Sequence, residues 1–209
     1  MAVYKIFPDK DSFIFTEVST ANAGYDEMIE IGGYPIQEIG QTARTLIHFK
    51  DTEITSVINN KIGTSPWTAS IEMFIASAYE TPVSHSIECY PVSMYWDGGI
   101  GKYADDLFTG SADQSGVSWQ FTKPIATTPW KLAGSFPAGV TGSYNNTYPG
   151  GGNWYTGSNG INLEASQSYE TNDDLDILMD VTNAVHMHYS GTLANNGFLL
   201  KFHDSIEFN

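Results

Sequence analysis

The densest run of residues that could do chemistry consists of carboxylates near residue 175. Asp173, Asp174 and Asp176 lie close together, and Asp180 follows them. Calcium takes several oxygen ligands, which such a cluster can supply. The spacing does not match an EF-hand loop, because the glycine and the distal glutamate of that loop are missing. We therefore expect no obligatory cofactor, and two interpretations remain: a calcium site or an acidic turn in solvent.

His186 and His188 form a second group that could bind a metal ion. Two imidazoles at this spacing lie on one side of a β-strand, whereas on a helical turn they diverge. No cysteine or third histidine is near them in the sequence. The pair is therefore more typical of a partly exposed helix than of a metal site.

Carboxylates elsewhere in the chain are candidates for the acid–base pair of a glycosidase, which flanks the bond that it cleaves. The candidates are Glu80, Glu88, Asp97, Asp105 and Asp106. Nothing in their spacing places two of them together. The sequence also lacks a serine nucleophile elbow, a phosphate-binding loop and a cysteine–histidine pair. We therefore expect a protein that is not an enzyme.

A long stretch between residues 122 and 160 is rich in glycine, asparagine and aromatic residues and poor in charge. A loop of this length is usually functional or ordered by contacts. It carries Tyr144, Tyr148, Trp154 and Tyr155. Exposed aromatic rings stack on sugars or anchor protein partners, so these four are candidates for binding a glycan or a partner. In the alternative interpretation, Trp154 plugs one end of the fold and the tyrosines border it.

The composition argues against several classes of partner. The chain has 209 residues, a net charge of −15 and only 16% charged residues. This acidity disfavours nucleic acids and anionic membranes, because both attract Lys and Arg. No apolar stretch approaches the ~20 residues of a membrane-spanning helix, and no apolar leader follows Met1. We therefore expect a chain that is made in a cytoplasm. Cys89 is the single cysteine, so it forms no disulfide within the chain, and we expect it to be buried as a small apolar residue.

Short β-rich runs recur along the chain, separated by Gly, Asn and Pro turns, and no long helical period appears. The runs are 12–16, 28–31, 44–49, 69–79, 84–96, 117–121 and 161–169. Residues 176–202 add a strand, a short helical turn near 182–189, a loop and a second buried strand. This pattern predicts an all-β fold, an antiparallel β-sandwich that is jelly-roll-like. The length suits a single domain over residues 1–209 with a loop insertion at about 122–160.

Several segments in a fixed order resemble a known family. Residues 22–32 resemble N-x-G-x-D-E-I-L-E-I-G, and residues 44–49 resemble R-x-L-I-K-F. Residues 90–96 and 99–105 resemble Y-P-V-S-x-x-W and G-x-G-K-Y-x-D. The chain is similar in these segments to DNRLRE-type domains, which are β-sandwiches related to some carbohydrate-binding modules. The version that it resembles most occurs in virion proteins of large marine tailed phages.

The resemblance implies a non-catalytic module. We expect a structural component of a tailed-phage virion, on the tail, baseplate or capsid surface, assembled in the host cytoplasm. Its partners would be other virion proteins, in a homo-oligomer or a symmetric assembly. The alternative is an adhesion module that recognises a host surface polysaccharide. The family pattern continues beyond Glu207 with a further strand pair, whereas this sequence stops at Asn209. Three interpretations remain: the protein is shortened and lacks closing strands beyond residue 209, the sequence is one piece of a longer protein, or a partner supplies the closing strand. We expect an unpaired C-terminal edge that associates with another chain.

Overall fold

The computed structural model describes residues 2–34, 41–78, 84–103, 113–124, 128–131, 138–142, 150–170 and 175–207. The strands in these residues are β1 (Lys10–Phe15), β2 (Gly32–Tyr34), β3 (Gln41–His48), β4 (Ser70–Met73), β5 (His85–Pro91), β6 (Val140–Gly142), β7 (Asn153–Tyr155), β8 (Gly157–Ser158), β9 (Ile161–Asn162), β10 (Ala165–Tyr169), β11 (Ile177–Asp180) and β12 (Phe198–Phe202). The helices are α1 (Asp51–Val57), which continues as a π-helical turn (Ile58–Ile62), α2 (Thr182–Tyr189) and α3 (Asp204–Glu207).

A six-stranded antiparallel sheet organises the fold. Its strands lie in the order β1-β3-β12-β5-β10, and β2 pairs with residues 41–43 of β3. Strands from near both ends of the sequence therefore lie in one sheet. The predicted all-β, antiparallel, sandwich-like fold is confirmed. The predicted short helix near 182–189 is also confirmed, as α2.

One face of this sheet packs against α2 and a second, two-stranded sheet of β4 and β11. The strand register directs Ile47 and Leu200 to this face. The opposing apolar side chains are Ile71, Ile177, Met179, Ala184 and Met187. Gln167 ties the two sheets together, because its side-chain amide hydrogen-bonds the carbonyl of Asp176 at 3.0 Å and the N–H of Leu178 at 2.8 Å. The Gln167 side chain thus hydrogen-bonds the backbone of β11 on the edge that does not pair with β4, as the backbone of a neighbouring strand would.

Tryptophans from loops and from β7 cover the opposite face. Leu46 and Leu199 point to this side and lie in a single buried cluster. The tryptophans of that cluster are Trp96, Trp119, Trp130 and Trp154. Trp96 and Trp130 each donate the indole N–H to a backbone carbonyl, at 2.8 and 3.0 Å. Their polar atoms are therefore satisfied, as burial requires.

Several segments differ from the sequence-based prediction. Residues 28–31, one of the predicted β-rich runs, form no strand, and β2 begins after them at Gly32. Residues 51–62 form α1 and the π-helical turn, where the pattern predicts no helix; Ile54 and Ile58, at helical spacing, are the buried residues. Residues 117–121 form no strand, although Val117, Ser118 and Trp119 are buried, because their backbone groups bond to separate loops. The Val117 N–H, for example, donates to Asp97 O at 2.7 Å. The stretch at 122–160, predicted as a loop, contains β6, β7 and β8 among its described residues.

The C-terminal strand lies in the interior of the sheet. β12 pairs with β3 on one side and with β5 on the other, whereas β1 and β10 form the edges. The expectation of an unpaired C-terminal edge is therefore wrong for the described strands. α3 follows β12 and packs on β2, where the Cα of Glu207 lies close to Gly33.

A buried ion pair joins α3 to the sheet. The side chains of Arg44, on β3, and Glu207, on α3, have no exposed surface. The guanidinium Nε and Nη2 donate to the two carboxylate oxygens at 3.0 and 2.6 Å, and Nη1 donates to Gly151 O at 2.5 Å. The guanidinium carbon also lies 5.0 and 5.3 Å from the ring centroids of Trp119 and Trp154. A two-pronged pair of this kind is stronger and more directional than a single hydrogen bond.

Lys201 extends this network on the same face. Its Nζ lies 3.0 Å from a carboxylate oxygen of Glu88 and 2.6 Å from one of Asp204. Tyr90 donates its hydroxyl to Glu88 at 3.1 Å. Burial first, and then the charge of Glu88, raises the pKa of Tyr90. The buried charges are therefore neutralised locally, which offsets the cost of removing them from water.

We expect Glu207→Ala to lower the free energy of unfolding by about 3–5 kcal/mol, because it leaves the Arg44 guanidinium buried without its counter-ion. Urea denaturation followed by tryptophan fluorescence measures the change. The matched control is Glu27→Ala, because Glu27 also forms an ion pair, with Lys102, but this pair lies at the surface. The control should leave the midpoint almost unchanged. Arg44→Met combined with Glu207→Leu should recover part of the loss, and equal midpoints for Glu207→Ala and the unaltered protein would contradict this role.

Candidate functional site

The acidic run forms no metal site in the part of the chain that the structure describes. Asp173 and Asp174 lie outside the described residues. Asp176 accepts the backbone N–H of Ile75 at 2.9 Å and so fixes the end of β4. Hydrogen bonds from the side chain and backbone of Thr182 lower the pKa of Asp180. Among the described residues, no group of three or more His, Cys, Asp or Glu side chains could hold a metal ion.

α2 separates the two histidines. His186 is exposed, and its ring stacks on Trp67 with the centroids 3.9 Å apart. His188 is 6% exposed, and neither of its ring nitrogens has a hydrogen-bond partner within the described residues. Burial lowers the pKa of His188 to about 4, an effect that the charge of Asp51 opposes and that of His48 reinforces. The two imidazoles therefore diverge, as expected for this spacing on a helix.

The described acid–base candidates serve the fold. Glu88 pairs with Lys201, and Asp97 accepts a hydrogen bond from the Tyr95 hydroxyl. Glu80, Asp105 and Asp106 lie outside the described residues. Cys89 is buried, as predicted, and burial raises the pKa of its thiol. A thiol in that state is a poor nucleophile.

A small cleft opens beside β1 and β3. It is lined by Phe13, Phe15, Glu17, Glu30, Gly32, Thr42, Ala43 and Tyr103. Its volume of about 30 Å³ is close to the space that one water occupies in the liquid, whereas small-molecule sites take roughly 300–1,000 Å³. Burial first, and then the charges of Glu17 and Asp26, raises the pKa of Glu30 at its rim. The cleft is too small for an organic substrate.

The four aromatic candidates differ in where the structure places them. Trp154 is 5% exposed and packs 5.7 Å from the ring of Tyr90, so no sugar can stack on it. Tyr155 is partly buried against the core of the first face. Tyr144 and Tyr148 lie outside the described residues. For Trp154, the structure therefore supports the alternative interpretation, in which this residue plugs the fold.

Two of the segments that carry the family resemblance, 22–32 and 99–105, meet at Asn22, which is fully buried. Its Nδ2 donates to the carbonyls of Gly98 and Val117 at 2.6 and 2.8 Å. Its Oδ1 accepts the N–H groups of Gly24 and Gly101 at 3.2 and 2.9 Å. One amide side chain thus satisfies four backbone groups in three loops, and its role is structural.

Further contacts join the same two segments. Asp26 accepts the backbone N–H of Tyr103 at 2.8 Å, and the Nζ of Lys102 lies 2.6 Å from Glu27. A Cβ added at Gly24 would lie 2.1 Å from a carbonyl oxygen of the facing loop, so only glycine fits there. These motif residues build a loop scaffold, and none of their described contacts forms a catalytic pair.

Tyr95 is an exposed aromatic residue that the sequence pattern does not single out. The Nζ atoms of Lys10 and Lys123 lie 4.4 and 5.1 Å from its ring centroid, within the range of cation–π attraction. The three residues are distant in the sequence. No motif could therefore have identified this group.

Exposed apolar residues lie at the outer side of the β4–β11 sheet, the side that faces away from the six-stranded sheet. Phe74 and Leu178 are 72% and 66% exposed. The register places Leu178 opposite Glu72, and Phe74 directly follows Met73, the last residue of β4. Leu178 is thus an exposed apolar residue on an outward side whose other members, Ser70, Glu72 and Asp180, are polar.

Residues 2–8 form an arm without regular secondary structure beside this sheet. The Nζ of Lys5 lies 2.7 Å from the carboxylate of Glu72. Val3 and Phe7 on the arm are 73% and 75% exposed. The arm and the outer side of the β4–β11 sheet together are called the apolar surface below.

No protein-family model matches the chain, and no curated protein or solved structure is significantly similar to it. The resemblance to DNRLRE-type domains therefore stays a prediction. None of the described helices has the length and apolar character needed to cross a membrane.

We expect the folded protein to lose stability as the pH falls from 6.5 towards about 4. In the unfolded chain His188 binds a proton with the ordinary pKa of 6.5, whereas in the fold its pKa is about 4. The unfolded state therefore binds more protons in this window, which lowers the free energy of unfolding by about 3 kcal/mol. His188→Leu should flatten this part of the pH profile, measured by urea denaturation, and His186→Leu should not. Equal profiles for His188→Leu and the unaltered protein would rule out this assignment.

Proposed function

We propose that this protein is a non-catalytic structural component of a tailed-phage virion, located on the tail, baseplate or capsid surface. The observation that carries this proposal is the apolar surface. Contiguous apolar side chains on a protein surface, rimmed by charged residues, mark sites of protein–protein contact. Phe74 and Leu178 are exposed at this sheet, Val3 and Phe7 are exposed on the arm beside it, and Glu72 and Asp176 lie among them. In a virion, neighbouring proteins would cover this surface.

The use of polar groups inside the fold supports a role without catalysis. Arg44, Lys201, Glu88 and Glu207 are buried in ion pairs. Asn22 bonds only to loop backbone in its described contacts. An active site instead needs titratable groups that reach a substrate in a cavity. These side chains stabilise a rigid module.

A rigid module with modest contact surfaces is suited to a symmetric particle. Each contact between neighbours is repeated many times, so contacts that are weak singly hold the assembly together. The net charge of −15 keeps the free chain dispersed until it meets the surface that fits it.

Glycan binding is the second candidate, and the exposed ring of Tyr95 favours it. Trp154 is excluded as a stacking platform by its burial. The ammonium groups of Lys10 and Lys123 beside the Tyr95 ring would attract the carboxylate or sulfate groups of an acidic polysaccharide. An adhesion protein on a virion could combine both roles.

Peptide mass spectrometry of purified particles from the source of this sequence tests the first role. We expect abundant peptides of this chain, in an amount comparable to that of other structural proteins. Lysate depleted of particles is the control, and there the chain should be scarce. A chain that is found only in the depleted lysate would contradict the proposal.

Retention on a column of immobilised acidic polysaccharide tests the second role. We expect Tyr95→Ala to abolish retention, because it removes the exposed ring beside the two lysines, whereas the Trp96 ring next to Lys10 is buried. Tyr25→Ala, at another exposed tyrosine, is the matched control and should leave retention unchanged. If the unaltered protein runs through the column, glycan binding at this site is excluded.

A further inference from the structure

We infer that Asn159 is a site of spontaneous covalent modification, at which the backbone nitrogen of Gly160 displaces the side-chain amide as ammonia and leaves a mixture of aspartate and isoaspartate. The two residues form the loop between β8 and β9. The inference does not rest on the proposed function, because it depends only on the chemistry and the surroundings of this loop.

The reaction balances with water alone. Solvent base removes the proton of the Gly160 peptide N–H, and the nitrogen attacks the Cγ atom of Asn159. As the new C–N bond closes a succinimide ring, the bond between Cγ and the amide nitrogen breaks, and that nitrogen leaves as ammonia. Water then opens the ring at Cγ, which gives aspartate, or at the former backbone carbonyl, which gives isoaspartate. A glycine at the attacking position favours ring closure, because it has no Cβ to obstruct the approach.

Nothing in the described fold shields the reacting atoms in this loop. Both residues are exposed, with φ of 51° and 78°, the positive values of a two-residue type I′ hairpin turn. The Asn159 amide and the Gly160 N–H form no hydrogen bond with the residues that the structure describes. A Cβ added at Gly160 would meet no atom within 4 Å. The side-chain amide and the attacking nitrogen are therefore both open to solvent.

The hairpin around this loop can open at a small cost. β8 and β9 each have two residues, and both residues of β9 are exposed. A two-stranded ladder this short is marginal in water. Local opening of such a segment costs far less than unfolding of the whole chain. The main chain at Asn159 can therefore adopt the conformation that brings the Gly160 nitrogen to Cγ.

The second Asn-Gly pair of the sequence, Asn196 and Gly197, is protected by the fold. Asn196 is 8% exposed, and its amide donates to Val92 O at 3.3 Å. The Gly197 N–H donates to the side-chain oxygen of Asn195 at 3.1 Å. A Cβ added at Gly197 would lie 2.1 Å from the carbonyl oxygen of Ile47, so this loop lies against the central sheet. The same dipeptide is thus free at one site and fixed at the other.

Incubation of the folded protein at mildly alkaline pH tests the inference. Chymotrypsin separates the two sites, because Leu163 and Tyr169 lie between them, and peptide mass spectrometry distinguishes an amide from the heavier acid. We expect Asn159 to react at least about tenfold faster than Asn196, since the two loops differ in the free energy of opening. In guanidinium chloride the two rates should become similar, because the fold then protects neither site. An Asn159 that keeps its amide in the folded protein, or equal rates at both sites there, would overturn the inference.

Asn162 is the matched control within the same hairpin. It is exposed like Asn159, but Leu163 follows it, and a side chain at that position obstructs the attacking nitrogen. We therefore expect Asn162 to keep its amide. On an anion-exchange column the incubated protein should gain a later-eluting species, because each conversion adds one negative charge, whereas Asn159→Asp should carry that charge from the start and gain none. Equal modification of Asn162 and Asn159, or further acidic species in Asn159→Asp at the rate of the unaltered protein, would contradict this assignment.

Discussion

The fold depends on a guanidinium buried in the central sheet. A charge removed from water costs several kcal/mol unless it is paired and hydrogen-bonded, so the chain must bring a carboxylate to Arg44. That carboxylate belongs to Glu207, 163 residues away in the sequence. The requirement extends to Gly151, whose carbonyl completes the donor set and whose φ of 80° suits glycine. A Cβ there would lie 2.7 Å from the Trp119 ring. The ion pair thus fixes the position of three distant segments.

The two faces of the central sheet solve the problem of burial differently. The face toward α2 and the β4–β11 sheet is apolar and follows from regular strand alternation. The other face combines indole rings with four buried charges, and it is closed by loops that Asn22 and the tryptophan N–H groups hold in place. These indole rings and buried charges stabilise the fold, so few such side chains remain to mark a surface site. The apolar surface is the clearest exception, since its side chains have no described use in the fold.

How much the sequence could predict depended on whether a signal was local. Alternation in β3 and β5 and the apolar run of β12 are local signals, so the antiparallel β fold and the position of α2 were predictable. α1 was missed because β-branched residues between Ile54 and Ile58 favour strand, although burial of these two residues at helical spacing decides the outcome. Trp154 was ambiguous because a ring in a glycine-rich segment suits an exposed platform as well as a plug. The pair of Arg44 and Glu207 had no local signal, since only the completed fold brings the two side chains together.

The central position of β12 determines when the sheet can form. β3 and β5 are each made early, but the strand that lies between them is completed only at residue 202. At ~5–20 residues per second, a ribosome needs about 6–22 s to go from the end of β5 to the end of β12. Until then β3 and β5 expose unpaired edges, and Leu46 and Ile47 have no partner strand on that side. Pairings between strands so distant in sequence also form slowly. The nascent chain is therefore exposed to aggregation for most of its synthesis, and the sheet closes only after β12 has left the ribosome.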